Sequence, residues 1–330
     1  MPTRTKKLII GAYVDDLLVM SSSDEMIISF KEGLAKVLDI TDKGELKEFS
    51  GITVERKDGQ MTISQRRHID EMLEKFGMAG CNGCKTPMST LAEIEDAGIS
   101  SPEITSGYQS MIGSLMYIAG ATRPDIQFVT NKLARFMSAP AQAHLKAVKR
   151  VLRYLSETKN EKLSYKADRC TSLTIHADAD FANGEDSKSI SGIATFYGGN
   201  LIDWSSTKQQ LVALSTCESE INAVKDAATD AVYFRELLNE LMDEGYPEPI
   251  IIFNDNLPAK EIVEGGGKFK RTKHYKIRNN YLKQLLRLKI INIDHLGTNE
   301  MIADAFTKAL PENQHRYLFA KAGMSREFFK

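Results

Sequence analysis

The 330 residues carry 43 Lys and Arg against 44 Asp and Glu, a formal net charge of -1, with 42% hydrophobic and 26% charged residues. This is a globular balance, with length enough for one large core or about two to three smaller ones, and it gives no global attraction to nucleic acid, so such binding must come from local basic patches. No apolar run reaches the roughly 18–20 residues of a membrane span, and Met1–Lys7 leads into a β-like segment rather than a cleavable signal. Four cysteines are too few for a disulfide framework, so reduced thiols in cytosol or nucleus are expected, and secretion is not.

In chain order, Leu8–Ile10 and Leu17–Val19 read as two strands flanking a polar tip that holds Asp15 and Asp16. Ser22 and Glu25 form a capping-box pattern ahead of a helix whose face carries Met26, Ile27, Phe30, Leu34 and Leu38. A second hairpin is expected around Asp58-Gly59, with Ile52, Val54, Met61 and Ile63 alternating, then a short helix bearing Ile69, Met72, Leu73 and Phe76 and ended by Gly77. Met78–Ser106 is rich in Gly, Ser, Thr and Pro and reads as an exposed connection. Helices are expected over Tyr108–Ala119, Asp125–Met137 and Ala141–Leu155. Strands follow at Ser172–Ala177, Gly192–Tyr197 and Leu201–Trp204, a helix at Cys217–Leu241, a strand at Ile250–Phe253, then helix, strand and helix. That order gives a mixed α/β (α+β) chain with an antiparallel start to its second domain.

The acids are the candidate chemistry. Asp15-Asp16 is either an ordinary turn pair or a site where a divalent cation bridges two carboxylates that otherwise repel. Downstream, Asp178 follows "LTIHA", Glu220 lies early in a helix, Asp255 follows "IIIFN" and Asp304 opens the last expected helix. Carboxylates at strand ends and helix starts, far apart in sequence, suit a site that holds two Mg²⁺ around one phosphodiester. Asp180 competes with Asp178, and Glu218 with Glu220; Asp255 could be a turn acid and Asp304 a helix N-terminal acid.

The blocks "YVDD", "FSGITVERKDGQMTISQRRHIDEMLEKFGM", "GSLMYIAGATRPDI", "DWSSTKQQLVALSTCESEINAV" and "MIADAFTKAL" occur in the order of the copia-type retrotransposon Pol polyprotein, and from Leu8 to Leu310 the chain resembles that family's C-terminal part. The resemblance implies a partial reverse transcriptase palm over 1–90, helical thumb or connection over 91–162, and a ribonuclease H-like mixed-sheet domain over 163–330. It implies that Asp15 and Asp16 help hold Mg²⁺ in a polymerase site, and that Asp178, Glu220, Asp255 and Asp304 hold two Mg²⁺, or Mn²⁺, for hydrolysis of RNA in an RNA–DNA hybrid. It also places His295 where ribonucleases H keep a histidine for proton transfer or product release, the ordinary reading being a surface residue. Two departures stand out: Ser50 in "FSG" replaces an apolar residue, and only twelve residues precede Tyr13, none of Met1–Ala12 acidic. The expectation is therefore a nuclease that does not polymerise by itself. The alternative is a non-catalytic nucleic-acid-binding remnant, or a partner of the remaining polyprotein or of a second polymerase subunit, in a virus-like particle or the nucleus.

"KFKRTKHYKIR" mixes cations and aromatics, and Lys268, Lys270, Arg271, Lys273, His274, Lys276 and Arg278 are expected to track a nucleic-acid backbone, against a plain solvated face. Lys146, Lys149, Arg150 and Arg153 form a second basic stripe at helical spacing. Cys81 and Cys84 lack the second pair a zinc site needs, Trp204 reads as core or strand edge, and Gly265–Lys270 as a flexible turn.

Overall fold

A computed structural model describes residues 6–89, 102–167, 171–182, 184, 186–242, 245–264 and 276–325. Strands β1 (Leu8–Tyr13) and β2 (Asp16–Ser21) pair antiparallel with Tyr13 opposite Asp16. The turn is thus Val14-Asp15, with Val14 at φ 52, and Asp16 belongs to the strand rather than the tip. Helix α1 (Asp24–Ala35) follows, but its N-cap is Ser23, whose side chain makes no capping bond, so the expected Ser22–Glu25 box does not form. Ser23 N–H instead donates to Ser21 Oγ at 3.1 Å. No residue of α1 is buried, so its apolar stripe faces no core within the described residues.

Strands β3 (Glu48–Phe49), β4 (Ile52–Lys57) and β5 (Gln60–Ser64) turn at Ser50-Gly51 and Asp58-Gly59, all four residues having positive φ. Two-residue turns of that kind match the right-handed twist of the strands they join. The sheet is completed by β6 (Lys162–Lys166) and, at its far edge, by β12 (Met324–Ser325), in the order β12-β6-β5-β4-β3. Met61 faces Tyr165 and Ile63 faces Leu163 across β5–β6. One sheet therefore joins strands of the expected palm region to strands of the expected C-terminal domain, β6 starting at the boundary placed between 162 and 163.

Helices α2 (Arg66–Lys75), α3 (Pro102–Ala121), α4 (Gln127–Ala134) and α5 (Gln142–Thr158) enclose a core of Ile69, Leu73, Tyr108, Ile112, Leu115, Leu133, Val151 and Leu155. Helix α3 starts at Pro102, inside the stretch expected as connection, and part of that stretch is packed: Met88 is buried, and Arg150 and Arg153 bond to Thr86 Oγ1 (3.0 Å) and Asn82 O (2.6 Å). Half of the expected basic stripe is thereby committed to holding this segment. In "TRPD", the buried Arg123 grips Asp125 through Nε (2.8 Å) and Nη2 (2.6 Å) and reaches Thr158 O at 3.0 Å.

The second sheet contains β7 (Leu173–Asp180), β8 (Ile190–Tyr197), β9 (Asn200–Lys208), β10 (Ile250–Asn254) and β11 (Ile291–His295) in the order β11-β10-β7-β8-β9. β7, β8 and β9 are antiparallel, while β10 and β11 run parallel to β7. Helix α6 (Thr216–Leu241) packs on one face through Ile221, Val224, Ala227, Ala228 and Ala231, the three alanines letting the helix lie close to the strands. Helices α7 (Leu257–Glu264) and α8 (Lys276–Arg287) bridge β10 to β11, and α9 (Glu312–Lys321) follows. The mixed sheet with an antiparallel start expected for the second domain is thus present. Its β9 edge is closed by the helical region, Trp204 Nε1 donating to Ala119 O (2.9 Å) and Asn131 Nδ2 to Ser206 O (2.6 Å). Among the described residues no helix is long and apolar enough to cross a membrane.

Candidate metal centre

Parallel pairing places the ends of β7 and β10 side by side, which sets Asp178 near Asp255, the residue after β10. Asp304 arrives from a 3-10 segment, Ile302–Phe306, packed against β7 and β8. It does not open the last helix, as the sequence suggested; α9 begins at Glu312. The close approach depends on Gly192, which pairs with Asp178 in the β7–β8 ladder. A Cβ at that position would lie 2.5 Å from Ala303 O and 2.8 Å from Thr307 Cγ2, so only glycine leaves room for the segment carrying Asp304.

One carboxylate oxygen from each of Asp178, Asp255 and Asp304 lies within 4.8 Å of the others. Among the described residues no other group of three or more potential metal ligands gathers this way. Asp178 and Asp304 are buried and Asp255 half-buried. At such separations and an effective dielectric of about 20, each like-charged pair repels by roughly 3 kcal/mol, so the cluster calls for a cation or a proton. Burial and the neighbouring Asp178 push the Asp304 carboxyl up to about 7, against the opposing pull of Lys308. Neither Asp304 carboxylate oxygen has a hydrogen-bond partner, although Lys308 Nζ sits 3.0 Å from Oδ1 as an ion pair.

Glu220 lies outside the triple, on the first turns of α6, and is buried. Burial, then the charges of Asp178 and Asp255, raise its carboxyl well above the ordinary range. Its Oε2 accepts from Asn254 Nδ2 at 2.9 Å. Glu218 faces elsewhere: Oε2 accepts from Leu214 N (2.8 Å), its own N–H donates to the N-cap Ser215 Oγ (3.2 Å), and Arg278 stands 3.9 Å from Oε1. It shapes the entry to α6. Asp180, at the end of β7, is only half-buried and stands outside the triple.

Each acid of the site has a different partner. Thr307 Oγ1 donates to Asp178 Oδ2 (2.7 Å), Thr298 Oγ1 to Asp255 Oδ2 (3.0 Å), Asn254 to Glu220, and Lys308 pairs with Asp304. These residues and Gly192 were missed in the sequence, although Thr307 and Lys308 stand in the quoted "MIADAFTKAL" and Asn254 adjoins Asp255. The signal was proximity to an acid at helical or turn spacing.

His295 ends β11 opposite Asn254, exposed at the rim beside Asp255. Asp15 is exposed, and Asp16 pairs with Lys43 at 3.0 Å; neither joins a group of three ligands among the described residues. Tyr13 does touch Phe49 edge-on, with centroids 6.1 Å apart, so the two hairpins adjoin. Of the basic segment, Lys276 and Arg278 open α8, while Lys268, Lys270, Arg271, Lys273 and His274 lie outside the described residues, as do Cys170 and Gly265–Lys270.

An all-carboxylate oxygen set fits a hard divalent cation such as Mg²⁺ or Mn²⁺ and lacks the nitrogen and sulfur ligands typical of zinc. Asp178, Asp255 and Asp304 would hold it, with Glu220 adjacent; Asp304 Oδ1 faces Lys308, and its Oδ2 has no hydrogen-bond partner.

Residues 3–90 match the family model described as reverse transcriptase (RNA-dependent DNA polymerase). Over 95% of its length the chain is 30% identical to the retrovirus-related Pol polyprotein from transposon RE1 of Arabidopsis thaliana, covering 21% of it. It is 29% identical over 96% of its length to that from transposon TNT 1-94 of Nicotiana tabacum, covering 24%. The chain thus spans about a quarter or less of the length of these curated relatives. Among solved structures, LC11-RNase H1 isolated from compost aligns with 42% of the chain and 93% of its own at 18% identity and a TM-score of 0.34. The foamy viral protease-reverse transcriptase dRH in complex with double-stranded DNA aligns with 88% of the chain and 46% of its own at 12% identity and a TM-score of 0.48.

Proposed function

From a chain related over almost its whole length to the Pol polyproteins of copia-type retrotransposons, we propose a divalent-cation-dependent nuclease, with Mg²⁺ preferred, that hydrolyses the RNA strand of RNA–DNA hybrids. The observation that carries this reading is the convergence of Asp178, Asp255 and Asp304 within 4.8 Å at the end of a ribonuclease H-like sheet. When bound, divalent cations supply activation of water and charge neutralisation at a phosphodiester. The chain's own residues do the rest. Asp178, Asp255 and Asp304 present oxygens from three separate elements, so that their spacing is set by the sheet and by the Gly192 contact rather than by a flexible loop. Glu220 adds a fourth carboxylate from the helix side. His295 is assigned proton exchange with solvent, a role supported by its exposure at the end of β11 opposite Asn254.

Substrate contact is assigned to the segment from Lys268 to Arg278, whose cations would neutralise successive phosphates; recognition of hybrid shape and 2′-hydroxyls would then need no base contacts. The test is cleavage of an end-labelled RNA–DNA hybrid with Mg²⁺, by wild type and by Asp178→Asn. Metal-dependent products from wild type alone support the reading; identical patterns from both, or none from either at high enzyme, overturn it.

A second reading concerns the N-terminal unit. Ile10, Leu17 and Met20 of the hairpin and Ile28 of α1 are exposed, at 43%, 44%, 50% and 55%. A two-stranded hairpin with so much apolar surface in water is marginal alone. This favours a second role, in which the unit docks on the remainder of a polyprotein or a second polymerase subunit. Mixing the chain with the adjoining polymerase segment and measuring association tests it; Leu17→Asp should weaken the complex, and the absence of any complex would remove this role.

A further inference from the structure

The side chain of Asn254, the last residue of β10, is buried and uses three of its hydrogen-bonding positions. Nδ2 donates to Glu220 Oε2 (2.9 Å) and to Ala177 O (2.9 Å), and Oδ1 accepts from Asn256 N (3.0 Å). Its orientation is fixed by those partners: a flipped amide would set oxygen against a carboxylate and a carbonyl, and NH₂ against an N–H. Ala177 precedes Asp178, and Asn256 follows Asp255. One neutral amide therefore ties together the strand, the helix and the turn that present three of the four acids.

Resting on the nuclease reading above, we infer that Asn254 is a positioning residue that fixes the Glu220 carboxylate beside the aspartate triple so that it can join the cation site. Glu220 needs such a device. Its side chain has one more rotatable bond than an aspartate, it reaches the site from a helix rather than the sheet, and it lies outside the 4.8 Å triple. An amide donor orients the carboxylate without adding a competing charge, as partners of metal-binding groups commonly do, and their loss typically lowers metal affinity or activity by about 10–100-fold.

The test is Mn²⁺ affinity by calorimetry on the full chain, for wild type, Asn254→Ala, Asn254→Ser, Glu220→Ala and Asn254→Ala with Glu220→Ala, with thermal unfolding to establish that each is folded. Serine can still accept from the Asn256 N–H two residues on, but is too short to reach Glu220, so it separates the turn from the reach and serves if the alanine variant does not fold. Weakening of about tenfold in Asn254→Ala and Asn254→Ser, with no further loss when Asn254→Ala is added to Glu220→Ala, supports the inference. Unchanged affinity in the folded single variants, or additive losses in the double variant, overturns it. Hybrid cleavage by Asn254→Ser should show a lower kcat with KM unchanged, because the buried amide meets no substrate; a change in KM alone counts against it. If wild type neither binds Mn²⁺ nor cleaves a hybrid, the nuclease reading falls and the inference with it, whereas binding that is equal in wild type and Asn254→Ser sinks the inference alone.

Discussion

Asp15 and Asp16 are neighbours in sequence, whereas Asp178, Glu220, Asp255 and Asp304 are scattered along the second half of the chain, yet it is the scattered group that converges. In the hairpin, the β-strand period sends adjacent side chains to opposite faces, and Asp15 is left in the turn while Asp16 finds Lys43. In the mixed sheet, parallel strands end together, and acids far apart in sequence meet there. The surroundings differ as well: the hairpin and α1 bury almost nothing, while each acid of the sheet site has a dedicated donor or cation. Adjacency in sequence is thus poor evidence of a shared site, and a buried like-charge cluster with assigned donors is much better evidence.

The contrast breaks if the two regions respond alike to loss of an acid. Asp178→Asn should lower hybrid cleavage by about three orders of magnitude or more, some 4 kcal/mol of barrier, while Asp15→Asn and Asp16→Asn leave the nuclease rate within about twofold. Steady-state cleavage of a labelled hybrid decides between them, and a hairpin variant as damaging as Asp178→Asn would move the active centre to the N-terminal region.

The next effect in size comes from Gly192. The Cβ in Gly192→Ala would sit 2.5 Å from the backbone oxygen of Ala303, which cannot swing away as a side chain can. The Asp304 segment must shift, with an expected loss of about 100-fold in cleavage and about 1–3 kcal/mol in stability. Chemical denaturation together with kinetics checks both; a variant with wild-type rate and stability would mean that the segment relaxes freely.

A proton linkage sharpens the comparison further. The folded-state carboxyl of Asp304, at about 7, lies above its unfolded value near 3.8, so between those values the native state binds more protons than the unfolded chain. Without divalent cations, this group makes stability fall as pH rises through that window, by up to about 1.4 kcal/mol per pH unit. Glu220 acts in the same direction. Asp304→Asn should therefore flatten the slope of unfolding free energy between about pH 4 and 7, and Mg²⁺ should raise Tm more at pH 7.5 than at pH 5. A slope equal in wild type and variant would show that the carboxyl titrates normally.

Much of this arrangement is legible in the sequence, for a physical reason. The strand expected over Ser172–Ala177, the apolar run "IIIFN" and the helix expected from Cys217 are local signals, and they set Glu220 in a helix and Asp255 after a strand, while Asp178 proves to lie within β7, which runs on to Asp180. The setting of Asp304 is not local: its segment is a 3-10 turn held by contact with Gly192 of β8, so sequence pattern suggested a helix start where there is none. The same limit hid β6 and β12 as partners of the second hairpin, since strand pairing across such a separation is fixed by tertiary packing. In α1 the error ran the other way. Its apolar periodicity is genuine, but periodicity reports which face would be buried and not what buries it.

The smallest expected effect is at the hairpin itself. Lys43 and Asp16 form an ion pair of 3.0 Å whose side chains are 77% and 47% exposed. Water and salt screen such a pair, and holding a long lysine side chain in one geometry offsets part of the attraction, so it contributes under about 1 kcal/mol. Lys43→Met should shift the unfolding midpoint only slightly, with a difference from wild type that shrinks further in high salt, and should leave hybrid cleavage unchanged. A large destabilisation would mean that the hairpin's acids are held in a far less watery setting than their exposure indicates, and the division between a solvated pair of acids and a buried cluster of carboxylates would then have to be redrawn.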